Sequence, residues 1–326
     1  MKGQDLTTLG LSEKSHFCEG GIWENLSHKM KMKRREVRWE RMFPDELEAA
    51  FQESPIVYLP YGLCEPHGPQ DALGMDALRP HGAACLAAEE YGGIVVPPQY
   101  WHIHEQCGYG AWAYRRVGEV RPWLTAIPSW MFFKNMCYHI RTVDALGFHG
   151  AILFSGHAGP HNNDVPVLLE ILQSHFAVRL CSIIGLGVTQ SRFDDGKGMG
   201  GHAGRGETSL LWATDPDCVD VSRIPTVDEP GPHFAMGDDA KRSDRRAGTL
   251  MLADLVKQLG AKAKELLEEY ETLQPTHKPL TFDDVEEIWA QEIRPRLSDF
   301  SSMQDGEESP PADSRWYANW HVPKRG

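Results

Sequence analysis

The sequence has no CxxC pair and no apolar run of about 18 residues, the length that a membrane-spanning helix requires. Its seven cysteines are scattered and odd in number, a pattern that disfavours a disulfide scaffold or a zinc ribbon and favours a reducing cytosol. Residues 1–17 contain no apolar segment typical of a signal peptide. These absences predict a soluble, cytoplasmic protein that does not bind membranes.

Positive charge is also scarce, because 33 Lys and Arg face 46 Asp and Glu, for a formal net charge of −13. Nucleic-acid binders need clustered basic side chains to neutralise phosphates. The one basic run, at residues 28–41, is outweighed by the acidic remainder, and we interpret it as a solvated or interface-forming segment. We therefore expect no nucleic-acid partner.

What the sequence does contain is an alternation of strand and helix patterns. Short β-branched runs bounded by Gly or Pro lie at 55–62, 92–99, 150–156 and 180–187, and helical patterns lie at 77–91, 128–146, 163–175 and 249–272. The strand runs are apolar on both faces, as expected of parallel strands covered by helices. The alternation predicts one three-layer α/β domain, in which helices flank a central, mainly parallel sheet.

The chain divides by composition into three parts. We predict an N-terminal extension at 1–44, a catalytic domain at 45–275 and a C-terminal tail at 276–326. The tail contains an acidic, Ser/Pro-rich segment at 298–314 that resembles a flexible link.

A first polar cluster, "CEPHGPQDALGMD", follows the first predicted strand and contains Glu65, His67 and Asp76. Glu65 and His67 are two residues apart, so their side chains point the same way on an extended segment. Mixed oxygen and nitrogen ligands at a strand end suit Zn²⁺, Mn²⁺ or Fe²⁺. Asp76 also precedes a helical pattern, where Asp is a favoured N-cap, and His67 alone could be an ordinary loop histidine.

Two further clusters contain histidines between glycines. "SGHAGPHNN" follows the third predicted strand and contains His157 and His161, with an asparagine N-cap as the alternative explanation of its polar residues. "GMGGHAGRGETS" places His202 and Glu207 in a glycine-rich loop whose spacing does not match a phosphate-binding loop. Because ligands of open α/β sheets bind at the carboxyl ends of the strands, a shared metal centre explains all three clusters together. Two metals about 3.5–4 Å apart would need a bridging carboxylate, for which Asp76 is the natural candidate.

The three segments, in this order, resemble the signature segments of the creatininase (creatinine amidohydrolase) family. The resemblance covers about residues 55–213 and implies an α/β fold, two divalent metal ions (Zn, Mn or Fe) and hydrolysis of C–N bonds in cyclic or linear amides. It also implies a homo-oligomer, often a hexamer, that acts on a small-molecule amide substrate.

The resemblance implies a role for each matching residue. Metal ligands are expected at Glu65, His67, Asp76 as the bridge, His157 and Glu207, and His202 is the candidate proton donor. The chain departs from the family pattern at Pro66, at Gln70 and at Gly159, where true creatininases carry a metal-binding Glu. We therefore expect Glu207 to be the remaining metal ligand, with His161 as the alternative. We also expect the substrate to be an amide other than creatinine.

The expected reaction is attack on the amide carbonyl by a hydroxide bridging the two metals, with protonation of the leaving nitrogen by His202. Candidate substrate contacts are Trp101, His104, Trp112 and His161. Two other functions fit the same residues: a non-catalytic oligomer that binds a metal or metabolite, and a mononuclear metal lyase or isomerase.

Overall fold

The structure is a computed structural model that describes residues 35–104, 111–185, 190–226, 229–303, 310–315 and 317. Its contacts divide the chain into two units, Met1–Arg35 and Glu36–Gly326. The second unit contains all the elements below. The first part of the basic run, residues 28–34, lies outside the described residues.

Helices and strands alternate along the described chain. The α-helices are α1 (Pro44–Glu53), α2 (Met75–Tyr91), α3 (Ala111–Val117), α4 (Ser129–Ala145), α5 (Pro160–Gln173), α6 (Arg205–Thr214), α7 (Arg245–Leu273) and α8 (Phe282–Ile288). The strands are β1 (Ile56–Tyr61), β2 (Ile94–Val95), β3 (Gly150–Ser155) and β4 (Arg179–Ile184). Among the described helices, none combines the length and the apolar character needed to cross a bilayer.

The sheet has the strand order β2-β1-β3-β4, and all its pairings are parallel. Ile56 pairs with Gly150, and Gly150 pairs with Arg179, so the three longer strands start level with one another. The structure confirms the predicted parallel sheet, because each apolar run of the sequence contains one of the four strands or coincides with it to within one residue at its start.

Both faces of the sheet are buried, as the apolar strand runs predict. Val57 and Leu59 point into one apolar cluster with α4, α5 and α8. Ile56 and Tyr58 point the other way, into a second cluster with α2, α6 and α7. Because successive side chains of a strand face opposite sides, one apolar strand serves both clusters. The helices therefore cover the two faces of the sheet, and the predicted α/β fold is confirmed.

The topology places one edge of the sheet where ligands bind. From β1 the chain crosses to β2 on one side and then returns to β3 on the other, so the connections diverge between β1 and β3. Open α/β sheets bind ligands at the carboxyl ends of such a pair of strands. Gly156 N–H donates to Tyr61 O (3.2 Å), which ties the two strand ends together.

The start of α2 packs directly against these strand ends. A Cβ atom on Gly62 would lie 2.3 Å from the carbonyl carbon of Asp76, and one on Gly156 would lie 2.2 Å from its carbonyl oxygen. Both distances are far below van der Waals contact, so only glycine permits this approach. The two glycines therefore fix where Asp76 lies.

Residues after α7 return to the α5 side of the domain. The backbone N–H groups and hydroxyls of Ser301 and Ser302 all donate to the buried carboxylate of Asp164. Phe300 is fully buried, and its ring centroid lies 4.8 Å from that of Phe133. The first part of the acidic 298–314 segment is thus packed and not a free link. The division of the chain at 44/45 and 275/276 stays a prediction.

Candidate metal centre

Asp76 lies at the centre of a cluster of carboxylates and histidines at the carboxyl ends of β1 and β3. It is the second residue of α2, whose N-cap is Gly74, and it makes no capping hydrogen bond, so its interpretation as an N-cap is wrong. Its carboxylate is 1 % exposed and faces two imidazoles: Oδ1 lies 3.3 Å from His67 Nε2, and Oδ2 lies 3.0 Å from His157 Nδ1. Its position inside the first turn points the carboxylate at the strand ends.

Glu65 reaches the same two histidines from the segment after β1. Its Oε1 lies 3.1 Å from His157 Nδ1 and 3.7 Å from His67 Nε2, and its Oε2 lies 2.9 Å from His104 Nε2. The carboxylate is 1 % exposed. Glu65, His67 and His157 thus lie side by side at the strand ends, and their predicted role as metal ligands stays a prediction.

Glu207 enters the cluster from the first turn of α6. Its Oε2 lies 3.7 Å from His67 Nε2 and accepts a hydrogen bond from the N–H of Ala203 (2.7 Å). Ala203 has φ = +52°, a conformation that L residues rarely adopt and that often accompanies functional sites. The glycine-rich loop thus turns sharply and holds Glu207 close to His67.

The described residues form three groups in which every ligand atom lies within 4.8 Å of the others. They are Glu65–Asp76–His157, His67–Asp76–Glu207 and Glu65–His67–His202. His67 Nε2 is buried and makes no hydrogen bond within the described part of the chain, although three carboxylates lie within 3.7 Å. Carboxylate oxygens with imidazole nitrogens are ligands that Zn²⁺, Mn²⁺ and Fe²⁺ accept, so the residues fit a divalent metal.

His202 stands at the edge of this cluster. Its Nε2 lies 2.9 Å from the carbonyl oxygen of Pro66, and its Nδ1 lies 3.9 Å from Glu65 Oε1. Because a carbonyl oxygen only accepts, Nε2 carries the proton and donates it. In the neutral ring Nδ1 is then the unprotonated nitrogen, and it faces the carboxylates.

The opposite charges in the cluster shift the pKa values of its members strongly. Burial and the neighbouring carboxylate of Asp76 oppose ionisation of Glu65, but His157, His202 and the close contact with His104 outweigh them and lower its pKa to about 2. Burial likewise disfavours the charged form of His67, yet the carboxylates of Asp76, Glu65 and Glu207 raise its pKa to about 10.

The other two members follow the same pattern. Burial disfavours imidazolium at His157, but Glu65 and Asp76 raise its pKa to about 10. The pKa of Asp76 is held well below its ordinary value because His67 and His157 outweigh the effect of burial. Without a metal, the centre is therefore a set of carboxylates paired with imidazolium ions.

His202 differs from the other two histidines because its pKa is lowered. Burial is the main cause, and the positive charge of His67, whose ring centroid lies 4.3 Å away, acts in the same direction. His202 is therefore neutral at neutral pH while its neighbours are charged.

Arg79 is a member of the site that sequence analysis missed. Its Nη2 lies 3.3 Å from Asp76 Oδ1 and donates to Glu207 Oε1 (3.0 Å) and to the carbonyl oxygen of Gly156 (2.8 Å). Residues three apart on a helix share a face, so the spacing from Asp76 was a signal that could have identified it.

Sequence analysis also missed a second set of residues, which fixes the backbone of His67 through hydrogen bonds. Gln70 Nε2 donates to the carbonyl oxygen of His67 (3.1 Å) and to Asp71 Oδ2 (2.9 Å), which also accepts from the Thr208 hydroxyl (2.6 Å). Burial raises the pKa of Asp71 to about 6. Gln70 thus fixes the backbone of a candidate ligand.

Two of the four candidate substrate contacts border the cluster. The Trp112 ring lies 4.3 Å from that of His104 and 5.7 Å from that of His202, so both Trp112 and His104 border the cluster. Trp101 is 59 % exposed. The side chain of His161 lies outside the described residues.

A parallel α/β sheet with buried carboxylate–histidine groups at its switch point defines a protein equipped to bind divalent metal. Residues 40–269 match the family model Creatininase, described as creatinine amidohydrolase. The chain therefore belongs to the creatininase family. A comparison with curated proteins gives no significant match.

Solved structures support the fold. One creatinine amidohydrolase (creatininase) has a TM-score of 0.57 and 22 % identity and covers 71 % of this chain and 98 % of its own. A creatininase with Mn and a mutant creatininase of the Zn-Zn type each have a TM-score of 0.56, with the same identity and coverage. At this identity the likeness shows a common fold, while the family assignment rests on the sequence match.

Proposed function

We propose that the protein is a metal-dependent amidohydrolase that cleaves the C–N bond of a small cyclic or linear amide. The observation that carries this proposal is the pair of carboxylate–histidine groups that share Asp76, with the neutral His202 beside them. The names of its structural neighbours, creatinine amidohydrolases with Mn or Zn, support the same class of reaction.

The residues that would hold metal fall into two subsites. We define the first subsite as Glu65, Asp76 and His157, and the second subsite as His67, Asp76 and Glu207. We propose that each would hold one divalent ion of Zn, Mn or Fe, and that Asp76 would be the ligand common to both subsites. When bound, such ions lower the pKa of a water molecule and polarise the substrate carbonyl.

His202 supplies the proton transfer that amide cleavage requires. An amide nitrogen leaves poorly unless it is protonated. The unprotonated Nδ1 of His202 faces the cluster, so it can take a proton from the attacking water and return it to the leaving nitrogen. The hydrogen bond from Nε2 to Pro66 O holds the ring in the orientation that this transfer needs.

The space around the site favours an amide other than creatinine. A Cβ atom on Gly159 would meet no atom within 4 Å, so the position that carries a metal-binding Glu in true creatininases is open here. Trp112 and His104 border the cluster and offer an aromatic wall to a planar amide.

The proposal is tested by comparing His202→Ala with Asp76→Ala. His202→Ala is expected to retain the metal content of the wild type but to lose about 10²–10⁴-fold in turnover, the range of general acid–base catalysis. Asp76→Ala is expected to lose metal from both subsites, since it removes their common ligand. Elemental analysis of protein purified without added metal measures the metal content. Amine release from a panel of amides measures the turnover.

His81→Ala is the matched control, because His81 is a half-buried histidine on the same helix as Asp76 whose ring contacts Cys85. Loss of metal in His202→Ala would make His202 a ligand, as the Glu65–His67–His202 group allows. A metal-loaded wild type that releases no amine from any amide would instead favour a binding protein. A single tightly held ion at saturation would point to a mononuclear enzyme.

A further inference from the structure

The glycine-rich loop that carries His202 packs around a carboxylate from a later part of the chain. Asp239 lies on the segment between α6 and α7, and its Oδ1 accepts a hydrogen bond from the backbone N–H of Arg205 (3.0 Å). Arg205 is the first residue of α6, and the N-cap of that helix is Gly204, which has no side chain to act as acceptor. Because the N–H groups of a first helical turn need acceptors from outside the helix, Asp239 takes the place of a capping side chain.

The glycines on either side of His202 make room for this carboxylate. A Cβ atom on Gly200 would lie 2.5 Å from Asp239 Oδ2, and one on Gly204 would lie 2.6 Å from Asp239 Oδ1. A side chain at either position would therefore displace the carboxylate from the start of α6. A glycine-rich loop that leads into a helix N-terminus is an arrangement that binds anions, and here a carboxylate of the same chain occupies it.

The same segment holds the strained residue that follows His202. Ala203 has φ = +52°, its carbonyl oxygen accepts from the Gly237 N–H (3.1 Å), and its own N–H donates to Glu207 Oε2 (2.7 Å). A Cβ atom on Gly237 would lie 2.7 Å from the carbonyl oxygen of His202, so the two backbones are in direct contact. A strained conformation persists only where its surroundings fix it. Residues 237–239 supply part of that support.

We propose that Asp239 is a positioning residue for His202, whose carboxylate fixes the loop at 200–205 and thereby orients the imidazole toward the candidate metal centre. Asp239 acts through the backbone, because its hydrogen bond is with the Arg205 N–H and not with the ring. The effect on catalysis rests on the proposed function, in which His202 transfers the proton. The effect on the loop does not depend on that function.

Hydrogen–deuterium exchange of the full chain tests the effect on the loop without any substrate. Asp239→Ala is expected to speed exchange in a peptide that covers residues 199–207 at least about tenfold, because exchange reports the opening of hydrogen-bonded backbone. Asp238→Ala is the matched control, since Asp238 is the exposed neighbour with the same side chain. Its exchange should equal that of the wild type.

Rescue by formate tests whether the carboxylate itself is what the loop requires. Asp239→Ala leaves an unfilled space between the glycines and the start of α6, and formate supplies the missing carboxylate group. Sodium formate should therefore slow exchange in the 199–207 peptide of this variant, and sodium chloride at the same ionic strength should not. In Asp239→Asn the amide still fills the space, so formate should have no effect on that variant.

Turnover of an amide that the wild type hydrolyses tests the consequence for His202. Asp239→Ala is expected to lower kcat about 10–100-fold with little change in KM, as when a catalytic group is misplaced by about 1 Å. In a protein that already carries His202→Ala, the same substitution should lower kcat less than about twofold, because residues that act through one group are not additive. A general structural defect would lower kcat by the same factor in both backgrounds.

The outcomes separate this inference from the proposed function. Unchanged exchange in Asp239→Ala, exchange that formate does not slow, or equal losses of kcat with and without His202 would overturn the role of Asp239 and leave amide hydrolysis standing. Should Asp239→Ala fail to fold, Asp239→Asn is expected to exchange faster than the wild type, since a neutral acceptor holds an N–H less strongly than a charged one. Wild-type exchange in Asp239→Asn would then overturn the role. A protein that shows the expected exchange and rescue but hydrolyses no amide would overturn the proposed function and leave the action of Asp239 on the loop standing.

Discussion

At the residue scale, the metal-free centre balances negative carboxylates with protonated histidines. His67 and His157 both have pKa values raised to about 10, because the carboxylates around them outweigh the effect of burial. Both rings are therefore imidazolium ions at pH 8, which lies below these pKa values. An imidazole binds a metal only in its neutral form, so an incoming cation has to displace one proton from each ring.

We expect metal binding at pH 8 to release protons from both rings, about two per chain when both subsites fill. The release should decrease as the pH rises through about 10, since the rings are then already neutral. Titration calorimetry in two buffers of different ionisation enthalpy measures the number released. His157→Ala should release about one proton fewer. Binding at pH 8 without proton release would show that the histidines are neutral or are not ligands.

At the scale of elements, the centre depends on how closely α2 approaches the ends of β1 and β3. Gly156 permits this approach, because a Cβ there would lie 2.2 Å from the carbonyl oxygen of Asp76. The atom that it would meet belongs to the backbone of a helix and cannot rotate away. The strand end or the helix start would have to shift.

Gly156→Ala is expected to lower the free energy of unfolding by about 1–3 kcal/mol, the usual effect of overpacking. It should also reduce metal content, since Asp76 moves with the start of α2. Chemical denaturation and elemental analysis measure the two effects. Gly198→Ala is the matched control, because a Cβ on Gly198 would meet no atom within 4 Å. Unchanged stability and metal content in Gly156→Ala would contradict the proposed packing constraint.

At the scale of the whole molecule, we propose that the protein forms a homo-oligomer, a hexamer by resemblance to its family. Several large apolar side chains are exposed in the single chain, among them Phe43 and Phe282. Sedimentation analysis should give a mass several times the 36.6 kDa of one chain. A mass equal to one chain at micromolar and higher concentrations would contradict the proposal.

The sequence predicts the sheet well because its signals are local. Apolar β-branched runs such as that of Ile56–Tyr61 are buried on both faces, and that burial is the physical requirement of a parallel strand between two layers of helices. The same topology brings Glu65 and His157 together, since they follow neighbouring strands.

What the sequence does not predict depends on the exact register of helices. Asp76 lies inside α2 and not at its cap, and α5 begins at Pro160, three residues before the predicted start. Arg79 enters the site only because α2 presents that turn to Glu207, a residue 128 positions further along the chain. The spacing of Arg79 from Asp76 is a local signal, but its pairing with Glu207 leaves no local pattern in a single sequence.

The contact between Asp164 and the serines at 301 and 302 has a consequence for protein synthesis. The two partners are separated by 137 positions, which a ribosome needs roughly 7–30 s to translate. During that interval the emerging chain already contains β1, β3 and the candidate ligands that precede Asp164, and Glu207 is added, but Asp164 has none of these four donors. A nascent chain therefore completes the attachment of α5 only after residue 302 has been made, well after its candidate metal ligands have been made.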